Sequence, residues 1–90
     1  MNLLERYKHC MDIKDQLFQL EELTIEEYVG KRYYIDGEEY RVNIIDLSGM
    51  RYGYPCVQLQ SIKHVSSGCV KGIEMTIEGF YECLCINTEV

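Results

Sequence analysis

The sequence lacks the features that mark disordered, membrane-spanning and secreted proteins. It contains one proline and no low-complexity run, so its composition is not that of a disordered chain. No stretch approaches the roughly 18 uncharged apolar residues of a membrane-spanning helix. The first residues lack the continuous apolar segment of a secretory signal. We therefore expect a cytoplasmic protein without membrane contact.

Catalytic and cofactor motifs are also missing. The chain has no G-x-S-x-G, no H-E-x-x-H and no glycine-rich phosphate loop. Of its two histidines, His9 falls on the polar side of a predicted helix, and a pair of His64 with Cys69 lacks any local nucleophile signature. We predict no enzymatic activity, no catalytic residues and no cofactor.

The five cysteines show neither a disulfide framework nor the paired knuckles of a zinc site. Cys83 and Cys85 are one residue apart in a predicted strand, so both should point to the same face. Cys56, His64 and Cys69 are candidates to join them around a metal. Small reduced core residues explain these thiols more simply, and no metal site is predicted.

The formal net charge is −6, and it is unevenly distributed. Residues 21–46 carry eight acids and three bases, whereas residues 47–73 carry three bases and no acid. A negative chain is disfavoured for direct nucleic-acid binding, because lysine and arginine are what neutralise the phosphate backbone. The asymmetry indicates either an acidic docking segment or the ordinary composition of a sheet segment.

The N-terminal third predicts helices. Residues 2–22 lack glycine and proline, and their apolar side chains cover an arc of about 200°. Such an arc predicts a helix that either lies against both the sheet and a loop or is shared with a second copy or a partner. Thr24 and Glu27 fit a capping box for a second, short helix that ends at Gly30. The arc consists of Leu3, Leu4, Tyr7, Cys10, Met11, Ile13, Leu17, Phe18 and Leu20.

Asp36-Gly37 lies between two alternating runs and predicts a β-hairpin. A two-residue loop would place Arg32 directly opposite Arg41, which costs stability unless an acid lies nearby. A three-residue loop with a bulge at Gly37 would shift the register by one residue and separate the two arginines. The sequence leaves both loops open.

The second hairpin strand is predicted to continue to Leu47, with Ile44 on the core face. Three further strands are predicted over residues 56–62, 69–77 and 80–86, separated by a loop and by turns at Ser66-Ser67-Gly68 and Glu78-Gly79.

The whole chain, residues 1–90, is predicted as one α+β domain. Its helical part, residues 1–30, holds the N-terminal helix and the short second helix. About five antiparallel strands over residues 31–86 follow, as a curled sheet or a small barrel of the SH3 or OB kind.

Eight tyrosines are more than a core of this size can bury. Tyrosine is enriched at protein interfaces, and we expect Tyr34, Tyr52 and Tyr54 to be exposed. The preference of tyrosine for strands and core edges accounts for others.

These features predict a small acidic, non-enzymatic binding protein, an inhibitor or adaptor that docks on a basic protein partner. Basic partners are commonly proteins that handle nucleic acids. In size, charge and lack of motifs the chain is similar to phage inhibitors of host defence, including anti-CRISPR proteins, although no residues match. The predicted partner-binding residues are Glu21, Glu22, Glu26, Glu27, Tyr34, Asp36, Glu38, Glu39, Tyr52 and Tyr54.

Two alternatives remain. A self-associating structural or ligand-binding subunit, such as a homodimer, would use the wide apolar face of the first helix. A cysteine-dependent or zinc-dependent activity is the weaker alternative, because the cysteine spacing does not support it.

Overall fold

The computed structural model describes residues 2–62, 71–87 and 89, which form three helices and one four-stranded antiparallel sheet. In chain order the elements are α1 (Leu3–Cys10), α2 (Lys14–Tyr28), β1 (Arg32–Ile35), β2 (Glu38–Asp46), β3 (Cys56–Ser61), β4 (Gly72–Met75) and α3 (Ile77–Ile86).

The sheet order is β1-β2-β3-β4, so each strand pairs with its neighbour in sequence. The α+β class is confirmed. The prediction of five strands and a barrel is not, because the sheet has four strands in the described residues and is open. No helix in the described part of the chain is long and apolar enough to span a membrane.

The turn between β1 and β2 is the two-residue loop. Asp36 and Gly37 have φ angles of 51° and 80°, and positive φ at both positions defines the turn that matches strand twist. The register places Arg32 opposite Arg41. An acid does lie nearby, because Arg32 Nη1 is 3.5 Å from Glu39 Oε1. The alternative three-residue loop is thereby excluded.

A bulge lies instead within β2, between Val42 and Ile44. The extra residue, Asn43, reverses the alternation of the strand from that point on. Ile45 is therefore buried in the core, and Ile44 is half-buried opposite Gln58. The predicted core position of Ile44 is wrong for this reason.

The single helix predicted over residues 2–22 is in fact two helices. Asn2 caps α1 by accepting the backbone N–H of Glu5. Ile13 is extended, with φ −124° and ψ 98°, and interrupts the helix before α2 begins. The interruption resets the helical phase, so the apolar residues of α1 and α2 do not form one continuous arc.

Thr24 is not the start of a separate helix. It lies inside α2 and is buried, where its hydroxyl donates to the carbonyl oxygen of Leu20 at 2.6 Å. A threonine can satisfy its hydroxyl on the preceding turn in this way, so the predicted capping box does not form. α2 ends at Tyr28, and Gly30 with φ 92° follows as predicted.

The strand predicted over residues 80–86 is wrong, because these residues belong to α3. Ile77, Phe80 and Cys83 are buried at every third position, which is helical spacing. A short run of apolar and aromatic residues is compatible with a strand or a buried helix. The apolar pattern of residues 80–86 therefore does not by itself distinguish the two.

The local signal for α3 is its cap. Thr76 Oγ1 accepts the backbone N–H of Gly79 at 3.0 Å. The predicted turn at Glu78-Gly79 is therefore the first turn of this helix. The strand predicted over residues 69–77 is β4 within the described residues, and the predicted turn at 66–68 lies outside them.

The core lies between one face of the sheet and the helices. α2 contacts β2, α3 contacts β3 and β4, and α1 packs against α2 and α3. Phe80 is 1% exposed, and its ring meets that of Tyr28 edge-on with centroids 5.5 Å apart. We call the opposite side of the sheet, which carries Arg32, Tyr34 and Arg41, the outer face.

Phe80→Ala should lower the free energy of unfolding by about 3–5 kcal/mol, because it leaves a cavity where α3 meets α2. Ile86→Ala is the matched control on the same helix, since Ile86 is 77% exposed. It should change stability by less than about 0.5 kcal/mol. Urea unfolding measures both, and equal losses would contradict this packing of α3.

Thiol labelling tests whether α3 is a helix. In the helix Cys83 is buried and Cys85 is exposed, whereas a strand would place both on one face. Burial raises the pKa of the Cys83 thiol, which lowers its thiolate fraction at a given pH. Near neutral pH, iodoacetamide should modify Cys85 at least about tenfold faster than Cys83, read out by peptide mapping. Similar rates in the native protein would contradict the helix, and similar rates in urea are the control.

Candidate protein-docking surface

The predicted partner-binding residues do not form one surface. Glu22, Glu26 and Glu27 are exposed on α2, which packs over the core face of the sheet. Tyr34 and Glu39 lie opposite each other on the outer face. Because the two groups are on opposite sides of the sheet, one flat interface includes one group or the other.

Glu38 and Glu39 are engaged in ion pairs within the fold. Glu38 Oε2 lies 3.1 Å from Lys71 Nζ and accepts the Tyr40 hydroxyl at 3.2 Å. Glu39 is paired with Arg32. These two predicted acids are partly neutralised by bases of the same chain, whereas Asp36 is exposed at the hairpin tip.

The outer face is polar and nearly balanced in charge. Arg41 Nε donates to Asn43 Oδ1 at 3.1 Å. The Tyr54 hydroxyl donates to Glu74 Oε1 at 2.6 Å, and this hydrogen bond raises the pKa of Tyr54. Tyr34 is exposed, as predicted. Among the residues that the structure describes, this face does not concentrate charge of one sign.

The loop after β2 is held by the carboxylate of Asp46, which is only 2% exposed. Oδ1 accepts one backbone N–H and a hydroxyl, and Oδ2 accepts two backbone N–H groups. Such a carboxylate fixes the path of the loop. The donors are the Ser48 hydroxyl at 3.3 Å and the backbone N–H groups of Gly49, Arg51 and Tyr52, each at 3.1 Å.

Glu21 fixes the same loop from the helix side. Its Oε2 accepts the backbone N–H groups of Leu47 and Ser48, both at 3.1 Å. Glu21 is therefore a structural carboxylate that joins α2 to the loop. Glu21 is among the partner-binding residues predicted from the sequence, whereas Asp46 is not, although Asp46 followed by Ser48-Gly49 is a recognisable turn signal.

The surface that does concentrate charge is on α2. Glu22 and Glu26 are exposed one turn apart and take part in no ion pair with any residue that the structure describes. Beside them Phe18, Ile25 and Val29 are 40%, 37% and 38% exposed. At about 100° per residue the four helical side chains lie along one side of α2, and Val29 follows directly after the end of the helix. We call them the α2 ridge: Phe18, Glu22, Ile25, Glu26 and Val29.

Phe18 was predicted to face inward as part of a continuous N-terminal helix. The interruption at Ile13 changes the phase, so Leu17 and Leu20 point to the core and Phe18 points outward. Met11 and Ile13 are exposed for the same reason. The members of the predicted apolar arc that are buried in the core are Leu3, Tyr7, Leu17 and Leu20.

No cluster of three His, Cys, Asp or Glu side chains suited to a metal ion occurs within the part of the chain that the structure describes. His64 and Cys69 lie outside that part, so the pair weighed from the sequence has no structural description.

The chain matches no protein-family model, and no curated protein or solved structure shows significant similarity to it.

Asp46→Ala should destabilise the protein by about 3 kcal/mol, because it leaves three loop N–H groups without their acceptor. Hydrogen exchange at Gly49, Arg51 and Tyr52 should accelerate with it. Glu22→Ala, on an exposed position, should change stability by less than about 0.5 kcal/mol. Unchanged exchange in Asp46→Ala would show that the carboxylate does not hold the loop.

Proposed function

We propose that this protein is a small acidic, non-enzymatic binding protein, an inhibitor or adaptor that docks its α2 ridge on a protein partner with a basic surface. The observation that supports this most is the row of exposed Phe18, Ile25 and Val29 beside Glu22 and Glu26, which form no ion pair with any described residue. An exposed row of large apolar side chains is more typical of an interaction surface than of a helix face that meets only solvent.

The two kinds of side chain have different roles in such an interface. Burial of Phe18 and Ile25 contributes free energy in proportion to the apolar area removed from water. Glu22 and Glu26 steer the approach of a basic partner and disfavour acidic ones. The ridge is therefore suited to a partner with an apolar strip bordered by lysine or arginine.

Basic surfaces of this kind are common on proteins that handle nucleic acids, which suggests how an inhibitor would act. An acidic protein seated on a phosphate-binding surface would exclude the nucleic acid from it. The chain itself, with a net charge of −6, is not proposed to bind nucleic acid.

A double charge reversal tests the proposal. Glu22→Lys with Glu26→Lys should weaken binding to the captured partner by at least about tenfold at low ionic strength, and less at high salt. The matched control is Tyr34→Ala with Glu39→Gln on the outer face, which should bind like the unmodified protein. The measurement is affinity capture from the native host cell followed by titration calorimetry with the partner recovered.

Three results would contradict the docking proposal. The first is an acidic partner, and the second is a binding constant that does not change with ionic strength. The third is loss of binding in the outer-face control with retention in the α2 double variant, which would move the interface to the hairpin and Tyr34.

Self-association is the second candidate function. Met11, Ile13 and Phe18 remain exposed and provide a smaller apolar surface than the predicted arc. Light scattering over a range of concentrations separates the two candidates, because a strict monomer removes this one.

A further inference from the structure

A small cavity lies between the beginning of α2 and the tip of the loop held by Asp46. Its volume is about 130 Å³. Met11 and Met50 on its walls are 54% and 74% exposed, although methionine is an apolar residue. The lining residues are Met11, Lys14, Leu17, Phe18, Ser48 and Met50.

The loop presents Met50 from a fixed backbone. Asp46 and Glu21 hold the residues on either side, and the Met50 N–H donates to Ser48 Oγ at 3.3 Å. The thioether side chain itself stays adaptable. A fixed backbone lowers the ordering cost of binding, and an adaptable side chain fits around a guest group.

The cavity has the size of a single side chain. Apolar cavities of about 150 Å³ in proteins accept a benzene-sized group, so this one suits a branched aliphatic side chain. Leu17 is buried and forms apolar floor, while Lys14 and Ser48 supply polar groups.

The α2 ridge continues directly from this cavity. Phe18 is shared by both, and Glu22 and Glu26 follow four and eight residues later, about 6 and 12 Å along the helix. In an extended peptide, side chains two and four residues apart share one side and are separated by about 7 and 13 Å. The two spacings match when both are measured from Phe18, the cavity residue nearest to Glu22 in the sequence.

We propose that the cavity is the anchor site for an extended segment of the partner, with one branched apolar residue in the cavity. Lysine or arginine two and four positions away then face Glu22 and Glu26. This inference rests on the proposed function, because it assigns that function a recognition pattern.

Methyl NMR with ¹³C-methionine tests the site without an identified partner. The probe is the capped peptide Leu-Ser-Lys-Ser-Lys, together with its reversed sequence. The Met11 and Met50 methyl signals should shift saturably with at least one of them. Met75 in β4 is not part of the cavity and should not shift. No saturable shift of Met11 and Met50, or an equal shift of Met75, would overturn the anchor site.

Two control peptides separate this inference from the proposed function. In Ser-Ser-Lys-Ser-Lys the anchor is removed, and we expect binding at least about tenfold weaker. In Leu-Ser-Asp-Ser-Asp the charge is reversed, and we expect a similar loss. If the serine peptide binds as well as the leucine peptide, the anchor is overturned while the charge preference stands. If the aspartate peptide binds as well, the basic-partner function fails while the anchor stands.

Met50→Gln should weaken binding of the leucine peptide by about tenfold, with Met11 as the reporter. Because Met50 is an exposed loop residue, the fold should be retained. Ile86→Gln, equally exposed on α3, is the matched control and should bind normally. Equal affinity of the two variants would overturn the role of Met50.

Discussion

At the end of β2, one loop donates three backbone N–H groups and a hydroxyl to the buried carboxylate of Asp46. Glu21 accepts two more N–H groups from the adjoining residues and joins the loop to α2. Backbone N–H groups are strong donors that need acceptors, and in this loop two carboxylates supply them. The relative position of helix, loop and sheet edge depends on these bonds, and so does the surface that they present.

The distribution of charge follows from which acids the fold uses. Glu21 and Asp46 hold backbone, while Glu38 and Glu39 pair with Lys71 and Arg32. The acids left without an ion pair among the described residues include Glu22 and Glu26. The acidic segment seen in the sequence therefore becomes an acidic side of one helix, next to apolar side chains that the core does not cover.

Short-range backbone preferences predict several elements of the fold. The structure contains the predicted Asp36-Gly37 turn, the third strand (predicted over residues 56–62, observed over Cys56–Ser61) and Gly30 just after α2 ends at Tyr28. Each follows from the backbone preferences of a few residues. The predicted exposure of Tyr34, Tyr52 and Tyr54 is also found. These depend on short-range rules that hold wherever the segment lies in the protein.

The tertiary structure alone decided the remainder. Whether residues 80–86 form a strand or a helix depends on what covers Phe80, because the apolar run suits either. The interruption at Ile13 turns Phe18 outward, and the bulge at Asn43 turns Ile45 inward. Both irregularities change which side chains of their segment contact the core. Glu21 lies 25 residues before Asp46 in the sequence, so only folding brings them to the same loop. The sequence by itself determined several turns and secondary-structure elements and the net charge. Long-range packing determined which side chains remained on the surface.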